Sequence, residues 1–464
     1  MWTLWTLYAA LGITVGVMWR RVGLNLSLTS LLLGLLLLFH GPAYVYYTRT
    51  WGPKTDFYDT ILSAAKGHDV LPTLDLALAM TFVFVCIGVI AVDMLSHVSV
   101  RRWRSALDRW GATTASVSTG ERRRVMLVSA VLMVCFLLPF VFIDGQLPKV
   151  LNYFTSDLGE FEKIALRREG GGSDFYLYNL LLATLLPFIA FCLFALLVLR
   201  ASPARGWAWL FIAMVALGKA ATLSKAPLAV FALQCAVVWL MLRKLTLSLR
   251  VVAVLTLLAT LLFVLMSFVA NPTIEGLTLV FEFLFYRVFM IVNEGLLEYF
   301  AAIPYVIDHS WGTQVSWIAA LFQSEPRLPT YWLVGEVHRG MLGSTTTVMF
   351  MGDAWADFSW VGVAVTAFLA GAVVRWIDIQ LIVRRGKTIA SIAGLALGQF
   401  GLFIALSTAF QTALLTGGLA FAVPLVGLLT GTRRRRGQVR IARSANSRSL
   451  TPAHSPPTDI VPAP

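Results

Sequence analysis

Residues 74–95 read LDLALAMTFVFVCIGVIAVDML, an apolar run whose two charged residues, Asp75 and Asp93, lie near its ends. A helix needs about 20 such residues to cross the ~30 Å hydrocarbon core of a bilayer, so this run predicts a transmembrane helix. The same criterion predicts eleven spans in all. They lie near 3–19, 23–40, 74–95, 125–143, 175–199, 207–223, 227–242, 251–270, 358–383, 389–410 and 414–431. The predicted fold is all-α, a polytopic bundle of about eleven transmembrane helices with large extracytoplasmic loops that contain short helices.

The composition supports an integral membrane protein. Apolar residues make up 58% of the 464 positions and charged residues 13%, whereas about a quarter of a soluble domain is charged. The net charge of +13 is compatible with nucleic-acid binding, but the lysines and arginines fall mainly in short loops between apolar runs. That distribution is typical of membrane orientation, so we expect contact with membrane lipids and no nucleic-acid partner.

The basic loops predict the orientation. With the N-terminus outside, the loops and tail on the cytoplasmic side hold nearly every tight basic cluster at a helix end, which satisfies the positive-inside bias. These clusters are Arg20-Arg21, the 96–124 loop, Arg200 and Arg205, Arg243-Lys244 with Arg250, Arg384-Arg385 with Lys387, and Arg433 to Arg436. Residues 1–431 then form one membrane domain with extracytoplasmic loops at about 41–73, 144–174 and 271–357. The basic, Pro/Ser/Thr-rich segment 432–464 is predicted to be a disordered cytoplasmic tail with weak attraction to anionic lipid.

Motifs for a cofactor or a metal are missing from the sequence. It has no P-loop, GxGxxG, GxSxG or HExxH pattern, and the four cysteines all fall within predicted spans, without CxxC or Cys/His spacing. We therefore predict no cofactor, no metal site and no disulfide framework. The first apolar run lacks a charged n-region and a clear cleavage site, so we interpret it as a retained span and not as a signal peptide.

The segment 271–357 is the one long section in the second half of the sequence that lacks the uniform apolar composition of a transmembrane helix. Its helix 279–294 places Arg287 among Phe, Tyr, Val, Met and Ile, where an ionised group normally faces a polar cavity or an anion. Helical spacing predicts that Arg287, Glu294 and Glu298 lie along one face. Arg287 is then either a structural partner of a glutamate, an arginine that extends to the surface, or a phosphate ligand.

Two other basic groups are predicted on the same side of the membrane. Arg167 and Arg168 precede three glycines, which allow a close approach of backbone to ligand but equally suit a flexible linker. Lys225 lies at the outer tip of the hairpin between the sixth and seventh spans, where a lysine is ordinarily an interfacial anchor.

The cluster Glu336-Val-His338-Arg339 combines an acid, an imidazole and a guanidinium within four residues. This set is sufficient for a general base and an anion ligand, although a solvated loop face is an equally good interpretation. Asp353 and Asp357 lie one helical turn apart at the start of the ninth span. There they are either helix-capping acids favoured by the helix dipole or substrate ligands.

Four stretches of the sequence form an ordered set of motifs: Leu223-Ser-Lys-Ala-Pro-Leu228, Phe285-Tyr-Arg-Val-Phe289 with Glu298-Tyr-Phe300 and Pro304, Gly343-Ser-Thr-Thr-Thr347 with Phe350 to Phe358 and Gly362, and Thr416-Gly-Gly-Leu419. Together they resemble the Wzy-type oligosaccharide repeat-unit polymerases, the O-antigen, capsule and exopolysaccharide polymerases of bacteria. The likeness covers roughly 210–430 by motif and the remainder by hydropathy. It departs from the family at Ser344, where Asn is frequent, and at Ser359, where Gly is usual.

The resemblance implies a glycosyltransferase of the bacterial inner membrane that polymerises undecaprenyl-diphosphate-linked repeat units on its outer face. For this reaction we hypothesise that Arg287 and Arg339 hold the diphosphate and that His338 or Glu336 is the base. Arg167, Arg168, Lys225, Glu294 and Asp353 are the candidates for further contacts with substrate. The expected partners of such an enzyme are the lipid-linked oligosaccharides and, in addition, a chain-length regulator or export proteins. The alternatives are a lipid-linked glycan ligase, a transporter or flippase of lipid-linked sugars, and a structural partner of a glycan export complex.

Overall fold

The computed structural model describes residues 2–138, 180–220, 225–248, 277–313, 328–340 and 345–431, with five single positions between 253 and 261. These residues are helical apart from short connections and two isolated bridges, which confirms the predicted all-α fold for the described part of the chain. The α-helices are α1 (Trp2–Val17), α2 (Leu28–His40), α3 (Pro42–Tyr46), α4 (Asp56–Ser63), α5 (Leu71–Leu95), α6 (Val100–Ala112), α7 (Thr119–Leu138), α8 (Leu186–Val198), α9 (Arg205–Ala220), α10 (Lys225–Arg243), α11 (Leu277–Phe285), α12 (Ile291–Ala302), α13 (Thr330–Arg339), α14 (Phe350–Asp378), α15 (Ile389–Ala405), α16 (Phe410–Leu415) and α17 (Leu419–Thr430).

Six helical stretches of the described chain are long and apolar enough to cross a membrane. They are Trp2–Val22, Leu28–Lys54, Leu71–Leu95, Leu181–Val198, Phe350–Arg385 and Phe410–Thr430, and the shorter apolar helices Pro227–Arg243 and Ile389–Ala405 accompany them. Such a set of helices is typical of an integral membrane protein. The count of eleven spans stays a prediction, because 251–270 and the end of 125–143 lie largely outside the described residues.

The centre of the bundle is the pair α5 and α14, which pack closely along their length. A Cβ on Gly88 would overlap the backbone carbonyl of Phe368, and one on Gly371 would overlap that of Val85. Glycine at these two positions lets the helix backbones touch, as small residues do at membrane helix interfaces. Helix α1 packs against α5 as well, so the 74–95 run lies at the core.

One end of the bundle gathers the basic loops that the sequence assigns to the cytoplasmic side. The Lys387 Nζ donates to the carbonyls of Trp110, Thr113 and Arg243 at distances of 2.9–3.0 Å, and so joins the ends of α6 and α10. Asp378 accepts from the Leu28 and Thr29 amides and thereby caps α2, whose first backbone amides lack partners within the helix. Loops predicted to share a side therefore meet, and which side faces the cytoplasm stays a prediction.

Helix α14 is broken near the point where the ninth span was predicted to begin. Phe358 and Ser359 have non-helical backbone angles, and Ser359 lies at φ 53° and ψ −138°. The segment 350–357 before the break is buried throughout, so Asp353 and Asp357 belong to a short internal helix instead of the mouth of a continuous span. A β-carbon is strained at this positive φ, and Ser359 is the position where the resembled family usually has glycine.

Candidate active site

The helix pair α11 and α12 is joined by a π-helical turn, Tyr286–Met290. A π turn inserts an extra residue into the helix, so the side chain that faces Glu294 is Tyr286, eight residues earlier, and not Arg287. The Tyr286 hydroxyl donates to the Glu294 carboxylate at 3.0 Å and 3.2 Å. Arg287 is exposed, with its Cζ 5.1 Å from the centroid of the Phe283 ring, whereas Glu294 and Glu298 are buried. The prediction that these three residues share one face is therefore wrong.

Glu298 is the centre of the polar cluster. It is fully buried and accepts from the Arg339 Nη2 at 2.6 Å and from the Thr346 hydroxyl at 2.5 Å. The Arg339 Nη1 in turn donates to the Thr346 oxygen at 2.7 Å, which closes a triangle of three side chains. A charge-assisted bond of this kind is about twice as strong as a neutral one, so the guanidinium is held in a fixed orientation.

Two local features bring these side chains together. Helix α12 carries Gly295 one turn before Glu298, and a Cβ there would overlap the Thr347 carbonyl, so glycine allows the 345–349 segment to lie directly on α12. Helix α13 ends at Gly340, whose φ of 64° is left-handed, a conformation that favours glycine at a helix C-terminus. The last turn of α13 then presents His338 and Arg339 to α12.

His338 contacts the same glutamate through the backbone. Its Nε2 lies 2.9 Å from the Glu298 carbonyl oxygen. Because a carbonyl oxygen only accepts, this nitrogen carries the hydrogen, and Nδ1 remains the acceptor of the ring. Burial lowers the pKa of His338, which favours the neutral imidazole.

The two buried carboxyls have altered proton affinity. Burial raises the pKa of Glu298 to about 7, with the hydrogen bond from Thr346 and the charge of Arg339 acting in the opposite direction. Burial also raises the pKa of Glu294, opposed by the Tyr286 hydrogen bond and by Arg339. Desolvation disfavours the charged form of a carboxyl, and raised carboxyl pKa values beside a fixed cation are frequent at functional sites.

Cavities lie on both sides of this cluster. One of about 510 Å³ is lined by aromatic side chains including Trp51 and Tyr286, whose ring centroids are 5.6 Å apart. Another of about 290 Å³ lies between Tyr299, Thr346 and Asp353, and Asp353 there accepts from the Tyr299 hydroxyl at 3.2 Å. Glu294 is hydrogen-bonded to Tyr286 in the wall of the aromatic cavity, and Glu298 is hydrogen-bonded to Thr346 in the wall of the other cavity. The two carboxyl groups therefore lie between the cavities.

The structure brings some of the predicted site residues together and separates others. His338, Arg339 and Glu294 surround Glu298, and Asp353 is linked to the same helix through Tyr299. Glu336 is exposed and forms no described hydrogen bond or ion pair with this cluster. Lys225 is the first residue of α10, but its side chain, together with Arg167 and Arg168, lies outside the described residues.

Sequence reasoning missed the central role of Glu298 and the parts played by Tyr286, Thr346 and Tyr299. Glu298 and Arg339 are 41 residues apart, so no local spacing indicates their contact. The available signals were the Thr345–Thr347 run and the tyrosines flanking the charged residues, and neither pattern points to a partner.

No family model, curated protein or solved structure matches this chain. Within the described residues no group of three or more His, Cys, Asp or Glu side chains is arranged to hold a metal ion.

Proposed function

We propose that this protein is a glycosyltransferase of the bacterial inner membrane that polymerises undecaprenyl-diphosphate-linked oligosaccharide repeat units on the outer face. The observation that carries the proposal is the Arg339 guanidinium. It is fixed by a fully buried carboxylate, yet 28% of its side chain is exposed. A guanidinium has five N–H donors, and Glu298 and Thr346 occupy two of them. The remaining donors suit the oxygens of a diphosphate.

The surroundings of Arg339 suit a lipid-linked donor. The aromatic cavity beside Tyr286 shares Tyr46 and Phe285 with an apolar groove of about 670 Å³ between α1, α2 and α11. A polyprenyl chain fits an apolar groove at a bilayer-facing surface, and the exposed Arg287 lies two residues from Phe285. We therefore propose Arg339 as the principal cation for the diphosphate, with the exposed Arg287 as a second cation beside the groove.

The reaction transfers the growing glycan to a hydroxyl of another repeat unit. The hydroxyl oxygen bonds to the anomeric carbon, the bond from that carbon to the diphosphate oxygen breaks, and undecaprenyl diphosphate leaves with the electron pair. The hydroxyl proton goes to a base, for which the Nδ1 of His338 is the first candidate and Glu294, behind the Tyr286 hydroxyl, the second. Fixed arginine donors stabilise the charge that develops on the leaving group, a contribution typically worth about 10²–10³ in rate per donor.

Complementation of a deletion strain tests this proposal. The deletion is expected to accumulate single repeat units, and the wild-type chain restores long polymer on a gel of surface polysaccharide. Arg339→Gln is expected to leave single units when polymer is compared at equal amounts of protein in the membrane, because the change also removes the counter-charge of the buried Glu298. Lys54→Gln, a change of an exposed basic residue outside the cluster, is the control and retains polymer.

Three results would decide against a polymerase. Normal polymer in the deletion strain excludes the function outright. Loss of attached glycan with intact free polymer indicates the lipid-linked glycan ligase instead. Lipid-linked units trapped on the cytoplasmic face indicate the transporter or flippase.

A further inference from the structure

The cavity beside Asp353 is a half-open site next to the Glu298 cluster. Its wall carries hydroxyl groups on nearly every side, from Tyr299, Tyr331, Thr346, Thr408 and Thr412 among others. Its volume of about 290 Å³ is at the small end of the ~300–1,000 Å³ typical of ligand pockets. The cavity therefore suits a single ring and not a whole oligosaccharide.

The hydrogen-bonding capacity of this wall is largely unused. The side-chain hydroxyls of Thr408 and Thr412 make no hydrogen bond to any described residue, and both residues are partly exposed. Asp353 is 7% exposed and lines the same cavity. Its Oδ1 accepts from Tyr299, and its Oδ2 has no described partner. A carboxylate oxygen with a free acceptor position in a cavity can accept a hydrogen bond from a ligand, and a ligand hydroxyl is a suitable donor.

The chemistry of the wall favours a neutral polyhydroxyl ring. The described lining contains one carboxylate and no lysine or arginine, so it does not suit a phosphate or another anion. The lining combines threonine methyl groups and the Tyr299 and Tyr331 rings with hydroxyls, which suits a sugar ring that has C–H faces and hydroxyl edges.

We infer that this cavity binds one sugar ring of the acceptor, with the Asp353 carboxylate accepting hydrogen bonds from its hydroxyl groups. The inference rests on the proposed function and adds the location of the acceptor site to it. Thr346 belongs both to the cavity wall and to the Glu298–Arg339 triangle. A ring in the cavity is therefore adjacent to Arg339, and the aromatic cavity beside Tyr286 is left for the donor.

The test is a binding measurement on the full chain in nanodiscs. The probe is the free oligosaccharide released by mild acid from the lipid-linked units of the deletion strain. Thr408→Val and Thr412→Val remove a hydroxyl at nearly constant size, and each is expected to weaken binding about 3- to 10-fold, the value of one hydrogen bond. Thr408→Trp fills the cavity and is expected to abolish binding. Thr60→Val is the control, because the Thr60 hydroxyl bonds within α4.

The outcomes separate this inference from the proposed function. Equal affinity in wild type, Thr408→Trp and both valine variants overturns the cavity as a sugar site, even if polymerisation depends on Arg339. If the deletion strain accumulates no lipid-linked units, the proposed function falls, and the same variants are measured with glucose, galactose and N-acetylglucosamine. A loss of monosaccharide binding in Thr408→Trp then still supports the site, and binding of Na⁺ or Ca²⁺ in place of any sugar overturns it.

Discussion

Two arginine–carboxylate pairs, Arg375 with Asp93 and Arg339 with Glu298, have almost the same N–O distance, 2.7 Å and 2.6 Å. Their surroundings differ. The Arg375 side chain is 1% exposed, and its Cζ lies 4.0 Å from the centroid of the Trp103 ring. The Arg339 side chain is 28% exposed and borders a hydroxyl-lined cavity through Thr346. In both pairs the carboxylate is buried, so the exposure of the arginine is what distinguishes them.

The difference indicates what each pair does. The Arg375 guanidinium is buried against tryptophan, so a ligand cannot reach its remaining donors, including the Nη1 that has no hydrogen-bond partner among the described residues. Arg375 therefore joins α14 to α5 and α6. A guanidinium that is fixed on one edge and open on the other retains donors for an anion. We therefore expect the Arg375–Asp93 pair to serve assembly of the bundle and the Arg339–Glu298 pair to serve binding.

Arg375→Gln tests the structural role of the Arg375–Asp93 pair and has the largest expected effect on stability. It leaves the Asp93 carboxylate without its closest counter-charge, and breaking a buried pair costs about 3–5 kcal/mol. The Arg21 Nη1 lies 3.7 Å from the other Asp93 oxygen and compensates part of its charge. The loss of stability is therefore expected near the lower end of this range. We expect poor accumulation in the membrane and a lower Tm in detergent.

The control for this prediction is Arg375→Gln combined with Asp93→Asn. Removing both charges leaves no uncompensated buried ion, so the double variant is expected to recover part of the lost Tm. A single variant as stable as wild type would show that the pair contributes nothing to assembly.

Arg339→Lys tests the other pair by keeping the charge and removing the planar donor fork. Lysine cannot bond to Glu298 and Thr346 and also present two donors to a diphosphate. We expect normal accumulation and a fall in polymer formation of about 10- to 100-fold, measured with purified protein and lipid-linked units. A Tm loss as large as that of Arg375→Gln, with activity per folded molecule unchanged, would show that Arg339 stabilises the fold and does not bind substrate.

Much of the fold was predictable from the sequence because hydropathy is a local property. Runs such as 74–95 became helices with their ends nearly where the apolar residues end, and basic residues predicted to share a side do meet at Lys387. The site was less predictable, because its centre depends on a contact between α12 and α13 and on one π turn. Because of that turn, Tyr286 faces Glu294 in place of Arg287, and no residue pattern in Tyr286–Met290 predicts a π turn.

The raised pKa of Glu298 predicts a pH dependence of stability. A carboxyl whose pKa is about 7 when folded and about 4.3 when unfolded binds its proton more tightly in the folded state. Its contribution to stability is therefore fully present below about pH 4 and is lost as the pH rises through 7. We expect the Tm of wild type to fall between pH 5 and pH 8 by a few degrees more than that of Glu298→Gln.

The comparison with Glu298→Gln isolates this group from its neighbours. His338 and Glu294 titrate in both proteins. The lowered pKa of His338 acts in the opposite direction, since its contribution to stability is lost as the pH falls below about 6.5. Parallel Tm curves for the two proteins would show that Glu298 is ionised at neutral pH in the folded protein.

Ser359→Gly has the smallest expected effect on stability. It changes the break in α14 that separates the buried segment 350–357 from the rest of the helix. A non-glycine residue in this part of the backbone map costs about 1–3 kcal/mol. Glycine removes that strain but loses about 0.5–1 kcal/mol of conformational entropy on folding, so a net gain of about 1 kcal/mol is expected, measured as a higher Tm. Ser359→Ala is the control, because alanine also lacks the hydroxyl but retains the β-carbon and with it the strain. A gain in glycine alone attributes the effect to the backbone at φ 53°, whereas equal gains in both variants would attribute it to the loss of the serine hydroxyl and leave the break unstrained.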